Sequence, residues 1–355
     1  MSSTTTTTET QVANDLTHFP DGRRLARVQY IEPEISVDPW DCGYFAVPKA
    51  KEVMHAIQPL TDLRPSIFLP SNPYKLPTHA FTGVKHRSKL NFAAGDGYNT
   101  ELAETVLIAE IKEILKEVTG AKTVHVLGLG ARLKESDPDT VPVSERDPNA
   151  EPERCGIPPE ALQDMDMTKP YLGGYQTANG VGPARSVHID YSPDGARQIL
   201  RNVRSDVIES SKDIVEAEDA ALAAGKDVAF YEGRRYGMFS VWRPLKKVER
   251  DPVAICDPNT IDMEKDLAEH INKQPSDKGD YLAGLSMLRG GNAKSQRWYW
   301  ISEQDTDEVL VIQFYDSYAI KEGRPWGAPH GGVQLVGKED GETRHSVEAR
   351  CIAIW

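Results

Sequence analysis

Between Ser186 and Tyr191 the chain reads Ser-Val-His-Ile-Asp-Tyr, with apolar and polar residues in alternation. A β-strand repeats every two residues, so Val187, Ile189 and Tyr191 turn to one face while His188 and Asp190 turn to the other. Residues two apart on a strand stand roughly 7 Å apart at Cα, close enough for an imidazole and a carboxylate to converge on one ion. His-x-Asp in such a strand is half of a two-His, one-carboxylate facial arrangement, which suits Fe(II) and leaves positions open for O2 and a co-substrate. A structural pair, with the carboxylate holding the ring or capping a turn, is the alternative. The rest of the chain has to supply a second histidine.

Nine histidines are present. His18 lies near the N-terminal tail, and His55, His79 and His86 precede the part that reads as a barrel. His125 falls in an apolar strand, His270 among charged residues in a stretch read as a helix, and His345 between Arg344 and Ser346. His330, in Ala328-Pro329-His330-Gly331-Gly332-Val333, is followed by small residues that let a backbone or ligand approach closely. It is the best second ligand, with a turn histidine in a Pro/Gly loop as the alternative. Fourteen positions further on, Arg344, Ser346, Glu348 and Arg350 share one parity and hence one face of the last strand. An Arg-x-Ser there can hold a carboxylate by charge-assisted hydrogen bonds. Such an anchor suits a dicarboxylic co-substrate whose keto-acid end chelates iron. A surface ion pair explains the same residues.

The surrounding pattern is mixed. Residues 1–14 form a polar, low-complexity tract expected to be disordered. From Arg24 to Val47, prolines and glycine punctuate short apolar runs, which reads as loops with one or two edge strands. Asn99 to Val118 carries the clearest helical spacing, capped by Asn99 or Thr100 and ended by Gly120, and Thr123 to Leu127 reads as a strand. Residues 131–170 are rich in Pro, Asp and Glu and read as a long surface segment. After Tyr191, Ser192-Pro193 announces a helix, and a second helical stretch runs from Ile214 to Ala224. Strands are expected at Met238–Leu245 and Val253–Cys256, then a short helix at about Asp262 to Asn272. Arg297–Ile301 and Glu308–Tyr315 read as an antiparallel pair, and Ser346–Trp355 as the closing strand. The 355 residues then divide into the tail and one domain, 15–355. Within it a helical and loop region, 15–170, wraps a barrel core, 171–355, which carries a helical insertion at about 193–230.

A net charge of −13 argues against a nucleic-acid or anionic-membrane partner. Cys42, Cys155, Cys256 and Cys351 form no Cys-x-x-Cys pair, so neither a zinc knuckle nor a disulfide framework is indicated. No basic region followed by an apolar core opens the chain, and no run of about 18 apolar residues occurs. A soluble, cytoplasmic protein with a small-molecule partner is expected, as a monomer or a homodimer.

Several stretches together resemble one family. Val187-His188-Ile189-Asp190-Tyr191, Val241-Trp242-Arg243-Pro244-Leu245, Ala254-Ile255-Cys256-Asp257, Arg297-Trp298-Tyr299, Asp307-Glu308-Val309-Leu310, Asp316-Ser317, Pro329-His330 and Arg344-His345-Ser346-Val347-Glu348-Ala349-Arg350 occur in the order of the fungal and bacterial non-heme iron oxygenases. That family includes the cephem methoxylation component and the novofumigatonin endoperoxide synthase. The resemblance covers about Arg185 to Arg350, with weaker similarity at Lys85-His86-Arg87-Ser88. It implies a mainly β fold with α, a double-stranded β-helix of the jelly-roll or cupin-like kind flanked by helices. It also implies Fe(II) on His188, Asp190 and His330, 2-oxoglutarate on Arg344 and Ser346, and O2 as oxidant. The implied reaction is oxidation of a C–H bond in a small natural product or amino-acid-derived substrate by hydroxylation, desaturation or oxidative cyclisation.

Candidate substrate contacts are Arg185, Tyr191, Trp242, Arg243, Arg350, Ile352 and Ile354, and Arg350 competes with Arg344 as co-substrate anchor. Two departures stand out: Gly331-Gly332-Val333 replaces the usual Thr-Ala-Phe, and Gln313 replaces a common Lys. Two rival functions remain open, an iron oxidase or cyclase that uses O2 without 2-oxoglutarate and a barrel-fold binding protein without chemistry.

Overall fold

The computed structural model describes residues 17–34, 38–48, 50–134, 156–175 and 182–355. The tract expected to be disordered, 1–14, and residues 135–155 of the acidic stretch lie outside the described residues. Two sheets face each other. The larger has nine strands among the described residues, in the order β14 (Gln334–Leu335), β1 (Arg24–Pro33), β2 (Ala50–Asp62), β11 (Trp298–Trp300), β8 (Val253–Cys256), β13 (His330–Gly332), β6 (His188–Ile189), β10 (Tyr281–Leu288) and β9 (Leu267–Gln274). The smaller runs β3 (Phe81–Lys85), β12 (Glu308–Asp316), β7 (Tyr236–Pro244), β15 (Ser346–Ile354), β4 (Thr123–Arg132) and β5 (Tyr171–Gly173).

Both faces of the smaller sheet are covered, which is why β7 and β12 are buried at every residue and read as continuous apolar runs. On β15 the even-numbered Ile352 and Ile354 enter the core between the sheets, while Val347, Ala349, Cys351 and Ala353 face outward. The outward layer packs on helix α1 (Ile108–Thr119), whose buried stripe is Ile108, Ile111, Ile114 and Leu115. The expected helix from Asn99 is present, but with a wider π-type turn at Ala103–Leu107 ahead of α1. Asn99 caps it by accepting from the Leu102 N–H, and Gly120 ends it in the left-handed conformation at φ 71°.

Helix α2 (Pro193–Asn202) starts where Ser192-Pro193 predicts, with the Ser192 hydroxyl accepting from the Gly195 N–H. Two further helices, α3 (Ser205–Ser210) and α4 (Lys212–Ala223), follow it. The first turn of α2 rests directly on β10: a Cβ at Gly195 would lie 1.9 Å from the Gly284 carbonyl oxygen. Gly195→Ala must push the helix off the sheet, and a loss of about 1–3 kcal/mol is expected from overpacking, read as a lower urea midpoint with an unchanged slope.

Three expectations are corrected. The stretch Asp262 to Asn272 is not a helix: Leu267–Gln274 is strand β9, antiparallel to β10, and His270 is opposite Leu285. Leu267, Ala268 and Ile271 mimic helical spacing because the strand is covered unusually. Asn272 and Lys273 are buried beneath the segment around Tyr44, where the Lys273 carbonyl accepts from the Phe45 N–H, whereas Ile271 is exposed. The strands at 298–300 and 308–316 do not pair with each other. β11 joins β2 and β8 in the larger sheet, and β12 joins β3 and β7 in the smaller. The N-terminal part is also more than loops and edge strands. β1 and β2 form a long antiparallel pair within the larger sheet, and β3, β4 and β5 belong to the smaller. Among the described residues no helix is long and apolar enough to cross a membrane.

Candidate active site

Cross-strand register brings the two histidines together. His330 on β13 is the antiparallel partner of His188 on β6, and directly opposed residues carry their side chains to the same face. The ring centroids are 4.9 Å apart. Asp190, two residues beyond His188, reaches the same point: its Oδ1 stands 3.0 Å from His188 Nε2 and 3.6 Å from His330 Nε2.

Backbone carbonyls fix which ring nitrogen is free. His188 Nδ1 lies 2.7 Å from the Ser186 carbonyl oxygen and His330 Nδ1 3.2 Å from that of Ala328. A carbonyl only accepts, so each Nδ1 carries a proton, which leaves Nε2 as the nitrogen that a neutral ring can offer to a metal. Phe314 stacks on the His330 ring at 5.4 Å and 13°, and Tyr191 meets Phe314 edge-on. Gln313 is not near Arg344. Its side-chain amide donates to the Trp326 carbonyl and its own carbonyl accepts from the Ala328 N–H, so it tethers the segment that carries His330.

The electrostatics favour a cation among these groups. Burial would push the Asp190 carboxyl up, but the Arg350 guanidinium and His188 beside it hold it far below the usual carboxylate range. Burial pulls the His188 imidazole down, yet the Asp190 carboxylate outweighs it and the net shift is upward. Burial and the neighbouring His188 pull His330 down. Among the described residues no hydrogen bond reaches Asp190 Oδ1, although it is buried. Ligand atoms of the three residues lie within 4.8 Å of one another, so two imidazole nitrogens and one carboxylate oxygen could hold Fe(II).

A second set of groups sits along β15. Arg344 is fully enclosed: its Nη1 donates to the Asp251 carbonyl at 2.7 Å and its guanidinium lies 5.5 Å over the Trp242 ring. Burial, reinforced by the nearby charges of Arg132 and Arg185, pushes it down to about 9. Among the described residues its Nε and the buried Ser346 Oγ have no hydrogen-bond partner. A cation short of counter-charge, next to two unsatisfied donors, fits the distal carboxylate of 2-oxoglutarate. Gly332 makes room here, because a Cβ would meet Pro183 at 2.8 Å and Arg344 Nη1 at 3.5 Å. The Gly-Gly after His330 therefore admits both the 183–185 segment and the arginine.

The other candidate residues separate. Arg350 reaches the triad, its Nε donating to Asp190 Oδ2 at 2.5 Å. Arg185 lies at the Arg344 end, paired with Asp251 at 2.9 Å. Tyr191 is buried beside the triad and Trp242 lies beneath Arg344. Ile352 and Ile354 are fully buried in the core, opposite Met238 and Tyr236. Arg243 is on the other face of β7, its guanidinium bound to the His86 and Thr306 carbonyls, because odd-numbered residues of this strand point away from the barrel interior.

Three neighbours of the site were not among the candidates drawn from the sequence. Glu348 comes within 4.0 Å of His330 Nε2 and 3.6 Å of Arg132, and Asp251 holds Arg185 and Arg344. Glu348 shares the parity of Arg344, which was its one signal. Arg132 enters only through the pairing of β4 with β15, where it is opposite Ser346. Asp251 adopts φ 55°, an uncommon conformation for a non-glycine residue, and no sequence pattern announces it.

Comparison with known proteins gives a consistent picture. A family model described as "Oxidoreductase/YMDC permease-like domain" matches residues 58–354. The chain is 33% identical to the gibberellin cluster GA4 desaturase of Gibberella fujikuroi, over 83% of this chain and 86% of that protein. It is 25% identical to the alpha-ketoglutarate-dependent dioxygenase tstK of Talaromyces stipitatus, over 92% of this chain and 96% of that protein. Among solved structures, the iron and alpha-ketoglutarate-dependent endoperoxidase NvfI superposes with a TM-score of 0.56 at 21% identity, covering 93% of this chain and 97% of that one. The matched fold is the double-stranded β-helix expected above. With its facing sheets and its His-Asp-His cluster, the chain belongs to the non-heme Fe(II)/2-oxoglutarate-dependent oxygenases of secondary metabolism.

Proposed function

We propose that His188, Asp190 and His330 hold Fe(II) in this enzyme, that Arg344 and Ser346 bind the distal carboxylate of 2-oxoglutarate, and that the substrate is a small natural product or amino-acid derivative. The observation that carries the assignment is the convergence of two Nε2 atoms on a buried carboxylate oxygen that accepts no hydrogen bond among the described residues. When bound, Fe(II) with 2-oxoglutarate and O2 supplies an oxidant able to remove a hydrogen atom from an unactivated C–H bond, while 2-oxoglutarate becomes succinate and CO2. The chain's own contribution is placement. The Ser186 and Ala328 carbonyls orient the rings, Phe314 and Tyr191 wall off His330, and the enclosed Arg344 offers a fixed, poorly compensated charge.

The substrate radical's fate decides among hydroxylation, desaturation and cyclisation, and the names of relatives, hydroxylase/desaturase among them, support the first two being within reach of the fold. The reading takes the enzyme to be cytoplasmic, as a monomer or homodimer.

The test is succinate formation by the full chain supplied with Fe(II), 2-oxoglutarate and O2. Omitting iron or adding a chelator is expected to abolish it, and succinate formed at the same rate with chelator present would refute the assignment. Product formed from a substrate in the absence of 2-oxoglutarate would favour the O2-only oxidase instead.

A further inference from the structure

We propose that Arg350 is a positioning residue that keeps Asp190 a one-oxygen ligand, preserving the open metal positions that 2-oxoglutarate and O2 require. The inference rests on the assignment of His188, Asp190 and His330 as the metal ligands. A carboxylate can bind a metal through one oxygen or two, and nothing in the triad itself dictates which. The two oxygens of Asp190 have different surroundings here. Oδ1 faces both Nε2 atoms and accepts no hydrogen bond among the described residues, whereas Oδ2 is taken by Arg350 Nε at 2.5 Å. A charge-assisted bond of that kind is among the stronger ones available to a side chain.

Arg350 comes from the opposite sheet, so the clamp does not move with the strand it restrains. Its backbone is fixed on both sides, opposite Ser240 on β7 and Gly128 on β4. Both partners are small, which leaves the guanidinium room to cross the gap between the sheets. The same strand carries Ser346, so one element serves the metal's carboxylate and the co-substrate's far end. Arg350 is thus already engaged at Asp190, and Arg344 is left as the co-substrate anchor. Without the clamp, Oδ2 is free to rotate onto the metal and occupy one of the three positions a facial triad leaves open on an octahedral ion.

The experiment uses the full chain and needs no turnover. Mn(II) is added without 2-oxoglutarate, and broadening of its EPR lines by oxygen-17 water counts the coordinated waters. Wild type is expected to hold three and R350M two, with R350K, which keeps a cationic donor, returning to three. Under argon with Fe(II), titration of the visible charge-transfer band with 2-oxoglutarate is expected to need at least ~10-fold more ligand in R350M. Should R350M not fold, R350Q carries the same test, since its amide is too short to bridge the sheets but stays polar. A variant that binds Mn(II) with the wild-type number of waters overturns the proposal, as does one that folds but no longer binds Mn(II), because the arginine would then be retaining the ligand and not its denticity. Failure of the wild type to develop the band would contradict the Arg344 and Ser346 assignment alone, leaving the water count to decide on Arg350. A wild type that binds no Mn(II) removes the ligand assignment and this inference with it.

Discussion

His330→Ala is expected to lower iron-dependent succinate formation by at least ~10²-fold, because loss of a mere outer partner of a metal ligand already costs 10–100-fold and this substitution removes a proposed ligand itself. His188 and Asp190, two residues apart where β6 ends, would be left as a two-point site. Iron content after anaerobic loading should fall together with activity. The substitution also removes the ring stacked on Phe314, so a thermal melt must accompany the assay. A folded variant with normal iron content and normal succinate formation would refute the role given to His330.

The second large effect is expected from Arg344→Leu. Each hydrogen bond to a charged group contributes about 1.5–3 kcal/mol, so removing a two-point contact with a carboxylate should raise the KM for 2-oxoglutarate by roughly 10²–10⁴-fold. Removing one member of a buried ion pair normally unfolds or badly destabilises a protein. Arg344 differs, since Arg132 and Arg185 crowd it with like charge and, among the described residues, its guanidinium donates to a neutral acceptor, the Asp251 carbonyl. The variant should therefore remain folded, with kcat at saturating 2-oxoglutarate changing far less than KM. Steady-state succinate formation as a function of 2-oxoglutarate separates the two parameters, and an unchanged KM would relocate the anchor.

The parts of the site that could be read in the sequence were those governed by period-two alternation. His188 and Asp190 share a face because they are two apart, and Arg344, Ser346 and Glu348 share one for the same reason. What alternation cannot supply is register between distant strands. The opposition of His330 to His188 and of Arg132 to Ser346 exists only once the sheets assemble. The β11 and β12 segments show the same limit: each is a convincing strand, and a short polar connection suggests a hairpin, yet the two enter different sheets. Glu308, pinned by Arg64 and Lys85, anchors β12 on the far side of that connection. β9 defeats pattern reading for another reason. Its burial is set by a covering segment around Tyr44, so its buried positions include Asn272 and Lys273 while Ile271 faces water.

The last strand has one more consequence. From Ser346 to Arg350 it is hydrogen-bonded to β4 on one side and β7 on the other, and four residues of strand span about 13 Å. A backbone secured along both flanks cannot lengthen or shorten, so on the proposed assignment the spacing between the diacid's remote end and the iron's acidic ligand is that of a rigid gauge. Under that assignment, selection among keto acids by carbon number needs no dedicated gatekeeping side chain, because a molecule of the wrong length can satisfy only one end of the ruler at a time.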